Sequence, residues 1–69
     1  MIPFADWLLA ELEYRGWSRS ETARRGGISA SLIDQVTNGI GNPGIGFCRG
    51  IARAFDMPLE DVLRLRAPG

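Results

Sequence analysis

The sequence predicts an all-α fold, one compact domain of five helices around a single core. Three observations lead there. Apolar residues recur at three- and four-residue spacing along most of the chain. Between those runs fall the serines, asparagines, glycines and prolines that start and stop helices. The two strand-like candidates, around Ile40 and Ile45, are interrupted by glycine and proline. At 69 residues the chain has room for one domain. A domain this small buries only about 60% of its unfolded surface, so modest stability is expected. The mixture of 45% hydrophobic and 23% charged residues fits a globular fold rather than a disordered tail.

The first helix is expected from Pro3 to Arg15, because proline suits a first helical turn and Phe4, Trp7, Leu8, Glu11, Leu12 and Arg15 keep a helical period. Gly16 closes it. Trp17 follows at the place of a hydrophobic staple, and both Trp7 and Trp17 are expected in the core. Ser18 and Glu21 form a capping box that starts a second helix at Arg19, and Gly26 and Gly27 stop it. Ser29 caps a third helix. On that helix Ile33 and Val36 face inward, whereas Ala30, Ser31, Asp34, Gln35 and Asn38 make a short polar outward face, and Asn38-Gly39 ends it. Two short helices about a glycine corner are the pattern of a helix-turn-helix.

Gly39-Ile-Gly-Asn-Pro-Gly44 satisfies G-x-G-x-x-G, the dinucleotide-binding fingerprint. That reading fails, since the fingerprint needs a strand leading in and a parallel sheet around it, and here a helix leads in. A tight linker is the better reading. Asn42 is then a cap and Pro43 the first position of a fourth helix, with Ile45, Cys48, Ile51, Ala52 and Phe55 at core spacing. Gly44, Gly46 and Gly50 fall inside it, each at a cost of about 1 kcal/mol relative to alanine. Either the first turn is loose or the glycines admit a neighbouring backbone. Asp56-Met57-Pro58 breaks the chain, and Leu59, Val62, Leu63 and Leu65 make a last amphipathic helix with Glu60 and Asp61 in its first turn. The domain core spans about residues 4–65, with a frayed tail over 66–69, and Met1 reads as a natural start.

Several function classes recede. No apolar run approaches the roughly 18 residues of a membrane span, and no secretory signal is present, so a cytoplasmic protein is the expectation. Cys48 has no internal disulfide partner, and without histidine the usual zinc and catalytic-dyad arrangements are absent. No catalytic residue, metal, cofactor or small-molecule ligand is therefore expected, and the chain is too short to enclose a substrate as an enzyme would. Cys48 should be a buried apolar residue; a redox switch would need it exposed. Net charge is zero, which places any nucleic-acid affinity in local charge placement. All eight basic residues are arginine, suited to two-pronged phosphate or guanine contacts, although arginine-rich codon usage explains most of them as well.

The arrangement resembles the phage-repressor, Cro-type (XRE-like) helix-turn-helix family from about Phe4 to Leu65. The matching phrases are Arg15-Gly-Trp-Ser18, Ala23-Arg-Arg-Gly-Gly-Ile-Ser29, Asn38-Gly39, Asn42-Pro43 and Ile51-Ala-Arg-Ala-Phe55. Each is weak alone; their order and spacing are specific. The resemblance implies a lambda-repressor-like fold, a small residue at Ala23 for close packing of the motif helices, and double-stranded DNA as partner. It implies that the helix Ser29 to Asn38 lies in the major groove, with Ala30, Ser31, Asp34 and Gln35 where the family reads bases. Gln35 suits adenine N6 and N7, Ala30 a thymine methyl, and Ser31 either donor or acceptor. Ser18, Arg19, Ser29 and Asn38 fall where the family touches phosphate.

The departures are equally specific. Many relatives carry a longer side chain at the place of Ala30. Asp34 is acidic on the face that would approach DNA: it accepts from cytosine N4, discriminates by repulsion, or marks a face that binds no DNA. The loop Gly39 to Gly44 holds no basic residue. The family implies a homodimer on a near-palindrome, with the last helix, Val62 and Leu65 included, as its surface, unless both residues are core. A repressor without a separate sensor is the expected function. The alternative is a protein-interaction module, an antitoxin or adaptor, on the same fold. A positive stripe of Arg19, Arg24 and Arg25 beside the third helix favours DNA.

Overall fold

Residues 3–66 are described by the computed structural model, and they form five helices. These are α1 (Phe4–Arg15), α2 (Arg19–Gly26), α3 (Ala30–Thr37), α4 (Ile45–Phe55) and α5 (Leu59–Arg66). Most of the expected starts and stops are where the residue chemistry puts them. Pro3 stands at the N-cap of α1 and left-handed Gly16 closes that helix. The Glu21 N–H donates to Ser18 Oγ at 3.0 Å and the Ser31 N–H to Ser29 Oγ at 3.1 Å, so both motif helices begin on serine caps. The Ser18 capping box has one arm: Glu21 turns its carboxylate to Arg24 and Arg25 instead of back to the Ser18 N–H.

All five helices contribute to the core, whose centre is Leu8, Ile33, Ile51 and Val62, each with no exposed surface, and α2 adds Ala23. α4 supplies half of the core's buried hydrophobic residues, Phe47, Cys48, Ile51, Ala52, Ala54 and Phe55. Its start differs from the sequence reading. The N-cap is Gly44 with no side-chain hydrogen bond, and Asn42 and Pro43 lie before the helix. Ile45, expected in the core, occupies the first turn at the edge of the apolar arc and is 55% exposed. Phe47, on the middle of that arc, takes the buried place. Trp7 and Trp17 are half-buried against the core rather than within it, and both rings meet Phe55, at centroid distances of 5.8 and 5.7 Å.

The two interior glycines of α4 differ. Gly50 is buried at the seam with α2, where an added Cβ would collide with the Ile28 side chain and stand 3.1 Å from the Gly26 carbonyl oxygen. The converse holds at Gly26, whose added Cβ would lie 2.5 Å from the Gly50 carbonyl oxygen. Side chains on either would push the helices apart, so this is the close backbone approach the glycines permit. Gly26 is thus the last residue of α2, and the left-handed stop is Gly27. At Gly46 an added Cβ would meet nothing within 4 Å.

At the carboxyl end, Val62 is internal, whereas Leu65 is 38% exposed. Arg66, placed in the frayed tail by the sequence, is the last residue of α5 and donates to the Pro43 carbonyl at 3.2 Å. Ala67 to Gly69, also expected to fray, lie outside the described residues. No helix among the described residues is long and apolar enough to cross a membrane.

Candidate nucleic-acid interface

The face of α3 is fixed from behind. Ile33, Val36 and Thr37 are buried, and this turns Ser31, Asp34, Gln35 and Asn38 outward as one exposed row. Ala30 is half-buried against the core and presents only part of its methyl. Leu32, absent from the sequence reading of this face, is 44% exposed. Its signal was its place beside Ile33, one step off the buried stripe of Ile33 and Val36. The helix ends on Asn38, whose N–H reaches the Asp34 and Gln35 carbonyls, and the left-handed residue is Gly39.

The corner that sets α3 against α2 is equally determined. The Ile28 N–H donates to the Ala23 carbonyl at 3.0 Å, closing α2, and buried Ala23 leaves room for α3 beside it. At the far end of α2, Arg19 comes beside the last turn of α3. Arg19 Nε lies 3.2 Å from Asp34 Oδ1, and Arg19 Nη2 donates to Thr37 Oγ1 at 3.3 Å. Thr37 in turn donates to the Asp34 carbonyl at 3.0 Å. The structure therefore joins one expected base reader, Asp34, to one expected phosphate ligand, Arg19. Both are substantially exposed, so the pair contributes only about 0.2–1 kcal/mol and can be exchanged for a ligand.

Local pairing decides the charge of this face. Arg24 and Arg25 share the Glu21 carboxylate, and Arg25 also lies over the Trp17 ring at 4.3 Å. Three arginines against two carboxylates leave one net positive charge, not the strong stripe that the arginine positions suggest. Cys48 lies behind the motif, buried, and burial pushes its thiol up while Arg66 pulls it down. Among the described residues no group of histidine, cysteine, aspartate and glutamate is arranged to hold a metal ion.

A capped helix pair at a glycine corner, with an exposed polar row on its second helix, defines a helix-turn-helix domain. A helix-turn-helix family model matches residues 8–62, most of the chain, and no curated protein or solved structure matches it. The chain belongs to the XRE-like helix-turn-helix family, and it is a DNA-binding regulator of that type.

Proposed function

We propose that the protein is a sequence-specific repressor that acts in the cytoplasm as a homodimer on a near-palindromic operator, each α3 lying in the major groove. The observation that carries this is the exposed row Ser31, Asp34, Gln35 and Asn38, held outward by the buried Ile33, Val36 and Thr37. Gln35 forms the paired contact with adenine, Ser31 an adaptable one, and the exposed part of Ala30 meets a thymine methyl. Asp34 Oδ1 faces Arg19, and its second oxygen is left to accept from cytosine N4. Ser18, Arg19, Ser29 and Asn38 touch phosphates and fix the register. With one net positive charge on the face, few counterions are released and affinity falls gently with salt. The dimer forms through α5, whose Leu65, Asp61 and Arg64 line a shallow groove with Met57 from the preceding turn, and sets half-sites about one helical turn, roughly 34 Å, apart.

Selection of sites from random duplex DNA at low and at higher salt tests this, with Gln35→Ala as control. A near-palindrome whose enrichment weakens with the substitution is expected. No motif at either salt would transfer the polar face to a protein partner, the reading that the neutral charge favours.

A further inference from the structure

Of the eight arginines, six are engaged. Arg15 pairs with Glu11, Arg19 with Asp34, Arg24 and Arg25 with Glu21 and Arg64 with Asp61, while Arg66 holds the Pro43 carbonyl. Arg49 and Arg53 have no carboxylate or hydrogen-bond partner among the described residues. They stand one helical turn apart on α4 and line the same groove, about 150 Å³, whose opposite wall is the motif corner at Gly26, Gly27 and Ile28. Gly46 also lines it. That glycine has no packing reason to be one, since a Cβ would meet nothing within 4 Å, yet glycine inside a helix costs about 1 kcal/mol relative to alanine. A bare helix surface and two free guanidiniums meet in one concavity.

We propose that this groove is a phosphate site, in which Arg49 and Arg53 grip one tetrahedral oxyanion while Gly46 and the glycine corner leave space for it. Neighbouring turns put side-chain origins about 5–6 Å apart, so two forked guanidiniums can converge on one small anion. Paired hydrogen bonds to a charged oxyanion are the stronger kind. The ligand bridges α4 to the corner between α2 and α3, so its binding braces the recognition helix against the scaffold. The shared chemistry has two sources, a free phosphate or phosphate monoester and the phosphate backbone of bound DNA. The site itself does not rest on the DNA reading.

The test is a titration of the full chain with inorganic phosphate, followed by amide and arginine side-chain NMR at constant ionic strength. Saturable shifts confined to Gly26, Gly27, Gly46, Arg49 and Arg53 are expected, with affinity reduced about tenfold in Arg49→Gln and in Arg53→Gln. Gly46→Leu, which favours the helix, should fold and lose phosphate at least as severely. Shifts that fail to saturate, that spread equally to Arg64, or that survive these substitutions would show an adventitious ion only and overturn the site. Duplex binding by the double Arg49→Gln, Arg53→Gln variant separates the sources. A salt slope shallower by about one to two assigns the site to backbone phosphate, and an unchanged slope assigns it to a free phosphate ligand.

Discussion

The back of the motif and its front are held in opposite ways. Behind, α2 meets α4 backbone to backbone through Gly26 and Gly50, with Ile28 closed over the seam. In front, α2 meets the end of α3 through exposed groups, Arg19 with Asp34 and Thr37. The seam admits one geometry, because interiors are close-packed and a single methyl is felt there. The front admits several, because an exposed ion pair is worth little, water can replace either partner and phosphate can replace the carboxylate. A rigid hinge is thus joined to a rewritable surface: the seat of α2 on α4 is set by close backbone contact, and charge is adjustable where exposed side chains meet.

The largest effect is expected from a methyl in the seam. Gly50→Ala should lower unfolding free energy by about 1–3 kcal/mol by overpacking. That is a sizeable share of the few to ten kcal/mol that a domain of this size has in total. One turn earlier, Gly46→Ala should raise it by about 0.5–1 kcal/mol, since the methyl fits and glycine's backbone entropy is no longer lost. Denaturant melts of both variants check the pair, and a loss of equal size in the two would break the contrast between the regions.

At the front, Asp34→Asn should change stability by less than about 1 kcal/mol. Arg19 is released to phosphate, so non-specific duplex binding should tighten and its salt slope steepen by about one. Fluorescence anisotropy at several salt concentrations reads this, and an unchanged slope would mean that Arg19 never reaches DNA.

The smallest effect is alkaline. Burial holds the Cys48 thiol above its ordinary range, so the folded state favours the protonated form. Its contribution is complete below about pH 8.5 and is lost as pH rises through the raised value. Cys48→Ala should show a flatter decline of stability above that pH in melts compared at constant salt.

What the sequence made legible is local chemistry. Caps at Ser18 and Ser29, the stop at Gly16 and the break at Asp56 each depend on residues within one turn, and each was readable. The outward row of α3 was readable from period alone. Contacts between distant segments were not. Gly26 looked like a helix stop because its reason, the Gly50 carbonyl, belongs to another helix. The pairing of Asp34 with Arg19 likewise depends on how α2 crosses α3, which no spacing within either helix reports. Ile45 and Phe47 exchanged places because a helix of many small residues has a wide apolar arc, and only its neighbours select the centre. The candidate interface was therefore legible as a list of residues, and its charge balance was not.

Trp17 gives the molecule a built-in optical gauge. Its ring is half-buried beside Phe55, with the guanidinium of Arg25 4.3 Å and that of Arg15 5.3 Å from its centroid. Arg25 also answers to Glu21 in the first turn of α2. An anion that draws Arg25 away strips a cation from the indole face and alters its emission, whereas Trp7, packed beside Phe4 and Phe55, keeps a steady baseline. Binding at the amino end of the motif thus announces itself in the native fluorescence, with no label attached.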